Sequence, residues 1–179
     1  MNIIKTNFKD LLIIEPKVFK DARGYFLESY RKEKLNQFIA IDFVQDNESC
    51  SEKNVLRGLH FQNPPFSQAK LIRVIQGAIL DVVVDLRKNS ETYGQHFDIE
   101  LNQTNKTQLF IPVGFAHGFV TLTDETIINY KCSEFYNPKS EVSLLWNDQQ
   151  LNINWPVKNP ILSEKDKNGL IFNNFSSPF

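Results

Sequence analysis

Three side chains in this 179-residue sequence could carry out proton chemistry: His60, Lys70 and Tyr130. Imidazole titrates near neutral pH, so His60 could act as a base. Lys70 opens an apolar run directly after a loop, so its ammonium could enter a pocket or lie in solvent. Taken singly, each also has a structural explanation: a buried histidine paired with a carboxylate, a solvated lysine and an ordinary strand tyrosine.

The residues around His60 favour a ligand site. In Arg57-Gly58-Leu59-His60-Phe61-Gln62 the guanidinium of Arg57 could hold an anion, and Gly58 permits close approach of the backbone. Arg23 and Glu28 flank an aromatic stretch, where a surface ion pair is the simpler explanation. Two glycines bracket His117, a pattern typical of a tight turn.

Composition excludes several other classes of function. The 20 Lys and Arg residues balance 21 Asp and Glu, so no basic field exists for nucleic acid or an anionic membrane. The three histidines, His60, His96 and His117, do not form the His-x-His pattern of a cupin metal site, so we expect no metal. No apolar run reaches the ~18 residues of a membrane helix, and no leader is evident, which predicts a soluble, cytoplasmic protein. Cys50 and Cys132 are expected to be buried, reduced thiols.

Short runs rich in Val, Ile and Phe, separated by turn residues, predict the elements that hold these side chains. The predicted strands are Leu11–Ile14, Val55–Gln62, Leu71–Ile75, Ala78–Leu86, Phe97–Leu101, Thr107–Ile111, Phe119–Leu122 and Ile127–Cys132. A short helix is predicted over Arg31–Phe38, and a second after Ser163, which could cap Glu164–Asn168. No repeat, linker or composition shift divides the chain, so we expect one all-β domain over residues 1–179.

Strand parity predicts a partly polar interior. Residues two apart share a face, so Asp81 and Asp85 lie together among aliphatic residues. The same rule puts His60 and Arg57 on opposite faces, and both could meet one ligand only if Gly58 carries a bulge or the ligand wraps the rim. A lumen holding His, Gln, Asp and Tyr side chains is typical of a ligand cavity, because an apolar core has no use for them.

In combination the motifs are more specific than any one of them. Their order and spacing from about Ile4 to Asp166 closely resemble the dTDP-4-dehydrorhamnose 3,5-epimerase family. The matching segments are Asp21–Glu28, Gln45–Ser49, Val55–Gln62, Gln68–Leu71, Asp81–Arg87, Pro112–Phe119, Tyr130-Lys131 and Trp146–Asp148.

The resemblance implies a fold, a reaction and a set of roles. The fold would be an antiparallel jelly-roll barrel of the cupin type with a few short helices, and the reaction the epimerisation of dTDP-4-keto-6-deoxy-D-glucose at C3 and C5 without a cofactor. His60 would be the base, Asp166 its orienting carboxylate, Tyr130 the acid on the opposite face and Lys70 the group that stabilises the enolate. Contacts to the sugar nucleotide would come from Arg23, Glu28, Gln45, Asn47, Arg57, His117, Glu141 and Lys165, with Tyr136 stacking on thymine.

The resemblance also implies a homodimer in which the segment around Arg23–Glu28 joins the neighbouring subunit. Three positions depart from the family pattern: Phe135 stands where many members have tyrosine, Val113 where glutamate is common and Ala69 where glycine is common. Phe135 could alter the nucleotide or sugar contacts. Two alternatives stay open at this point: an epimerase that inverts only C3 or only C5 of a related nucleotide sugar, and a non-catalytic cupin that binds a sugar nucleotide.

Overall fold

The computed structural model describes residues 1–179, and nearly all of its regular structure is β-strand. The strands are β1 Asn2–Lys5, β2 Leu12–Glu15, β3 Val18–Asp21, β4 Gly24–Leu27, β5 Gln45–Ser51, β6 Leu56–Gln62, β7 Lys70–Gln76, β8 Ala78–Asp85, β9 His96–Asn102, β10 Gln108–Ile111, β11 Phe115–Thr121, β12 Thr126–Cys132 and β13 Glu141–Ser143. The helices are α1 Lys32–Leu35 and α2 Glu164–Lys167, with a 3₁₀ turn over Phe172–Asn174. None of the helices is long and apolar enough to cross a membrane.

Two antiparallel sheets form the body of the molecule. One has six strands in the order β1-β2-β10-β7-β12-β5, and the other has five in the order β13-β6-β11-β8-β9. A separate hairpin, β3–β4, pairs only with itself. The predicted all-β, antiparallel barrel with a few short helices is confirmed.

The main core lies between the inner faces of the two sheets. Ile72 and Val74 of β7 meet Ile79 and Val83 of β8 in one cluster of twelve buried apolar residues. On the same inner face of β7, Lys70 precedes Ile72 by two residues, so the apolar packing gives way to a polar lumen at that end. This change along the strands creates the space for a ligand.

Two smaller clusters cover the outer faces of the sheets. Leu35 of α1, with Tyr30 and Phe43, packs over the six-stranded sheet. Leu151, Phe172 and neighbouring C-terminal residues pack over the five-stranded sheet. Both sheets are therefore buried on both faces along part of their length, which fixes the strands that carry the site.

Most predicted strands are confirmed to within a few residues, but several elements were missed. β5 reads Gln-Asp-Asn-Glu-Ser-Cys-Ser and shows no apolar alternation, because its inner side faces a polar cavity and most of its outer side is exposed. β1, β13 and the β3–β4 hairpin are only three or four residues long.

Three further predictions need correction. The helix predicted over Arg31–Phe38 is a single turn, α1, anchored by buried Leu35. β11 begins at Phe115, so His117 lies within a strand and not in a tight turn. Cys132 is buried as expected, but Cys50 is exposed on the outward side of β5, and both thiols are free.

Candidate active site

Two adjoining cavities between the sheets collect most of the predicted site residues. Their volumes are about 280 and 310 Å³. Both are lined by His60, Lys70, Tyr130, Tyr136 and Glu141. A larger cavity of about 870 Å³ lies elsewhere, beside Arg87 and Val113, and none of the predicted site residues lines it.

A bulge in β6 brings Arg57 and His60 to the same cavity. His60 pairs with His117 and Arg57 pairs with Phe119, so three steps along β6 match two along β11. Gly58 occupies the bulge with φ +133°, a conformation that residues with a side chain rarely adopt. The extra residue reverses the parity, and both side chains line the 280 Å³ cavity. Of the two possibilities that strand parity left open, the bulge is the one found.

His60 is held by a buried carboxylate. Its Nε2 lies 2.6 Å from Oδ1 of Asp166, which is almost fully buried in α2. Asp166 Oδ2 accepts a 2.7 Å hydrogen bond from Ser163 Oγ, while the same hydroxyl caps the helix by accepting from Asp166 N. Burial alone would raise the pKa of Asp166, but the hydrogen bonds from His60 and Ser163 outweigh it and lower that pKa below its ordinary value.

This contact leaves Nδ1 as the free nitrogen of His60. Nδ1 has no partner within the chain and is not among the buried unpaired atoms, so it is open to the cavity. A proton on Nε2, directed at Asp166, leaves a lone pair on Nδ1. His60 can therefore accept a proton from a molecule in the cavity.

Lys70 and Tyr130 enter the cavity from the opposite sheet. They lie on neighbouring strands β7 and β12, whereas His60 lies on β6 of the five-stranded sheet. Burial lowers the pKa of Lys70, and the nearby Cys132, Glu141 and Asp81 offset this only in part. Burial raises the pKa of Tyr130, which keeps the phenol protonated at neutral pH.

A second histidine–carboxylate pair lies beside the first. His117 Nε2 is 2.9 Å from Oδ2 of Asp81, and both residues are buried. Burial lowers the pKa of His117 more than Asp81 raises it, so the imidazole is neutral at neutral pH. Sequence reasoning placed Asp81 in the interior but did not assign it to His117, since only the fold shows which residue faces it.

A chain of polar contacts crosses the rim of the cavity. Glu141 accepts hydrogen bonds from Lys165 Nζ at 2.7 Å and from Tyr136 OH at 2.8 Å. Burial would raise the pKa of Glu141, but these two donors lower it overall. Tyr136 is 53% exposed, and its ring is available to a planar group.

Polar side chains of β5 line the neighbouring wall. Gln45 Nε2 donates to Asn47 Oδ1 at 3.0 Å, and Gln45 Oε1 accepts from the backbone N of Tyr136 at 2.9 Å. Arg57 donates to Ser51 Oγ through Nε and Nη2 at 3.3 and 3.1 Å. Ser49 also lines the cavity and was not predicted, because serine in a polar strand carries no distinctive signal.

Arg23 and Glu28 are not brought to the cavity within one chain. Arg23 pairs with Asp21 at the turn of the β3–β4 hairpin, and Glu28 pairs with Arg31 and Lys34. The hairpin also exposes Phe26 to 69%. Within the single chain, neither residue lies at the cavity where the two contacts were predicted.

The cavity offers proton-transfer groups and hydrogen-bond donors. No group of three or more His, Cys, Asp or Glu side chains is arranged to hold a metal ion. Of the three departures from the family pattern, Phe135 holds Gln62 through its carbonyl, Val113 lies at the larger cavity and Ala69 is buried. None of the three is among the residues that line the two smaller cavities.

Comparison with known proteins identifies relatives across nearly the whole chain. The family profile described as dTDP-4-dehydrorhamnose 3,5-epimerase matches residues 5–174. The enzyme of that name from Salmonella typhimurium is 52% identical over 169 residues, covering 93% of this chain and 92% of its own. The crystal structure of dTDP-6-deoxy-D-glucose-3,5-epimerase from Legionella pneumophila, in complex with dTDP-4-keto-L-rhamnose, is 44% identical with a TM-score of 0.93, covering 98% of this chain and 94% of that one.

A relative with a narrower reaction is less similar. The structure of ChmJ, a 3'-monoepimerase from Streptomyces bikiniensis in complex with dTDP-quinovose, is 33% identical with a TM-score of 0.89. It covers 94% of this chain and 86% of that one. The chain is thus closer in sequence to these 3,5-epimerases than to this monoepimerase.

Proposed function

The chain belongs to the dTDP-4-dehydrorhamnose 3,5-epimerase family and is an epimerase, and we propose that it inverts C3 and C5 of dTDP-4-keto-6-deoxy-D-glucose with His60 as base and Tyr130 as acid. The product is dTDP-4-keto-L-rhamnose. One observation carries the proposed roles. The unpaired functional groups of His60 and Tyr130 enter one cavity from opposite sheets.

The first step is removal of a proton from carbon next to the C4 ketone. His60 Nδ1 takes this proton, and the bonding electrons move onto the ketone oxygen to give an enolate. Asp166 stabilises the imidazolium that forms, because its Oδ1, 2.6 Å from Nε2, accepts a hydrogen bond from the Nε2–H group. The carboxylate also fixes the ring so that Nδ1 stays directed at the cavity.

The enolate oxygen then needs a positive partner. Lys70 supplies it, because its ammonium reaches the cavity and forms no ion pair with a carboxylate of the chain. A preorganised donor of this kind lowers the barrier by ~3–4 kcal/mol. The negative charge that develops on oxygen is thus offset by a charge already in place.

Inversion requires that the new proton arrive from the other side of the sugar. Tyr130 lies on β12 in the six-stranded sheet, across the lumen from His60. Its phenol stays protonated because burial raises its pKa. Proton transfer from Tyr130 to carbon collapses the enolate to the ketone with the opposite configuration. His60 then releases its proton to water and Tyr130 takes one up from water, and the same steps follow at the second carbon.

The nucleotide is assigned to the rim. Arg57 and Lys165 carry the positive charges that suit a diphosphate. Tyr136 offers a half-exposed ring for the thymine face, and Gln45 and Asn47 offer amides beside it. A ligand with two phosphates and an uncharged base also fits a chain whose formal net charge is only −1.

The remaining contacts, Arg23 and Glu28, are proposed to act in the second subunit of a homodimer. The support is the β3–β4 hairpin, which pairs with no other strand and exposes Phe19, Tyr25 and Phe26. Burying such an aromatic surface would stabilise association. Light scattering at micromolar concentration should give twice the chain mass, and a fully active monomer would contradict the dimer.

Incubation with dTDP-4-keto-6-deoxy-D-glucose in D₂O tests the reaction. Deuterium at both C3 and C5, followed by NMR, is the expected result, since each carbon passes through an enolate. Incorporation at one carbon would show a monoepimerase, the reaction of the less similar relative. Binding without incorporation would show a non-catalytic sugar-nucleotide protein.

A further inference from the structure

We propose that Asp81 is a positioning residue, which keeps the proton of His117 on Nε2 and so presents Nδ1 to the cavity as a hydrogen-bond acceptor for a hydroxyl of the sugar. The inference builds on the proposed function, because it identifies the ligand group as a sugar hydroxyl. It starts from the second histidine–carboxylate pair, which the proton-transfer steps do not use.

The geometry assigns different faces to the two ring nitrogens of His117. Nε2 points to Asp81, 2.9 Å away, whose side chain is 0% exposed and does not line the cavity. The ring itself lines the 280 Å³ cavity. Nδ1 has no partner in the chain and is not among the atoms buried without one, so it is open to that cavity.

Asp81 differs from the other buried carboxylates that serve the fold. Asp85 accepts hydrogen bonds from Arg87, Ser90 and Thr92, and Asp148 accepts three from backbone N–H groups. Asp81 accepts only the bond from His117, and its Oδ1 is buried without a partner. A buried carboxylate with one donor is costly for a fold. Its contact with His117 is therefore not explained by stability.

The charges around His117 favour its neutral form. Burial is the main effect that lowers the pKa of His117, the positive charge of Lys70 lowers it further, and Asp81 offsets these effects only in part. A neutral ring that donates Nε2–H to Asp81 has its lone pair on Nδ1. Burial and hydrogen bonding thus make the Nδ1 face an acceptor.

Of the other acceptors at this cavity, Glu141 already accepts from Lys165 and Tyr136, and Nδ1 of His60 takes the substrate proton in the proposed reaction. Lys70 and Arg57 are donors only, and Tyr130 presents its phenol. A sugar hydroxyl has one proton to donate, which these cationic groups cannot receive. The neutral Nδ1 of His117 can receive it, which would orient the ring of the sugar between His60 and Tyr130.

The direct test is the tautomer of His117, read from ¹⁵N chemical shifts and long-range ¹H–¹⁵N couplings of the whole protein. With only three histidines, single substitution of His96 or His60 assigns the signals. The expected result is a neutral ring with the proton on Nε2 from pH 7 to 8. A proton on Nδ1, or a charged ring in that range, would overturn the proposal. This measurement needs neither substrate nor turnover.

Variants then link the tautomer to binding. In Asp81→Leu, Nε2–H would be buried without an acceptor, so the proton should move to Nδ1, which faces the cavity. The dissociation constant for dTDP-glucose should then rise about ten- to a hundredfold, because Nδ1 no longer accepts the proton of the sugar hydroxyl. The dissociation constant for dTDP, which has no hexose, should stay within about twofold.

Two further variants separate positioning from structure. Asp81→Asn retains a carbonyl oxygen that can accept a hydrogen bond from Nε2–H of His117. If His117 in this variant keeps its proton on Nε2, the affinity for dTDP-glucose should equal that of the wild type. If the proton is on Nδ1, the affinity should be weaker. Asp85→Asn, a matched buried carboxylate on the same face of β8, should lower the melting temperature and leave the His117 proton in place. A variant whose affinity and tautomer disagree would refute the role of Asp81. Failure of the proposed reaction would leave these binding results unchanged.

Discussion

Replacing Lys70 with methionine tests the electrostatic part of the proposed mechanism. Methionine has nearly the same length and no charge, so Lys70→Met removes the ammonium without opening a large cavity. Loss of one preorganised donor to a developing oxyanion should lower kcat about 10²- to 10³-fold, or about 2.7–4 kcal/mol. KM should change less, because the ground-state ketone carries little charge.

The same substitution should stabilise the protein. Lys70 is only partly exposed, forms no ion pair, and has a pKa lowered mainly by burial. Relief of such an unpaired group should add about 1–3 kcal/mol to the free energy of unfolding. For a chain of this size that corresponds to a rise in Tm of about 2–12 °C.

The pH dependence of this gain follows from the direction of the pKa shift. The folded state holds the Lys70 proton less tightly than the unfolded state, so Lys70 loses its proton in the folded protein at a pH below its ordinary pKa of 10.5. Over that range of pH the stability of the wild-type protein rises with pH. The advantage of Lys70→Met should therefore be complete below the lowered pKa of Lys70 in the fold, and it should shrink as the pH rises from there towards 10.5.

Thermal unfolding by circular dichroism and turnover followed by NMR measure the two effects separately. Lys5→Met, at an exposed strand lysine without an ion pair, is the control and should change neither activity nor stability greatly. Near-normal turnover in Lys70→Met would remove Lys70 from the mechanism. A large loss of stability would show that the ammonium has a structural partner.

Three other substitutions test the remaining roles. In D₂O, Tyr130→Phe should incorporate deuterium into unreacted substrate faster than it forms product, because His60 and Lys70 still form the enolate. Epimerisation at the wild-type rate, or equal loss of exchange and inversion, would refute the assignment of His60 and Tyr130 to opposite sides of the sugar. Asp166→Asn should lower kcat at least about a hundredfold. Hydrogen bonds lower the pKa of Asp166, so the wild-type protein should be more stable than Asp166→Asn at neutral pH. This difference in stability should disappear as the pH falls below 3.8 and through the lowered pKa of Asp166. A difference that persisted in acid would contradict this. Tyr136→Ala should weaken dTDP binding about ten- to a hundredfold, while Tyr136→Phe, which keeps the ring, should not; equal loss in both would exclude stacking.

The sequence was sufficient for the fold class and for most strands because their apolar residues alternate or run continuously. The prediction of strands failed where residues that face the cavities replace the apolar alternation. β5 is polar throughout because Gln45, Asn47 and Ser49 face the cavities, so the strand that forms one wall of the site has no strand signature. Capping residue Ser163 was recognised, but its hydrogen bond to Asp166 Oδ2 could be seen only in three dimensions.

Pairing between distant residues is the other part that sequence could not supply. Strand parity places Asp81 and Asp85 on one interior face, yet one contacts His117 and the other is occupied by Arg87, Ser90 and Thr92. Two identical side chains four residues apart thus have different roles. What separates them is the register of β8 against β11 and the loop after β8, neither of which is encoded in local periodicity.

At the bulge in β6, strand parity and the family resemblance lead to different expectations for Arg57 and His60. Parity correctly stated that a regular strand would place Arg57 and His60 on opposite faces, and the resemblance required both at one ligand. The conflict is resolved at Gly58, where a Cβ would lie 2.4 Å from Gly118 Cα, so the two backbones touch and neither glycine has room for a side chain. The Gly58–Gly118 contact therefore lets β6 gain one residue against β11. In this way two glycines with no chemistry of their own place His60, the proposed base, and Arg57, the proposed phosphate-binding cation, in the same cavity.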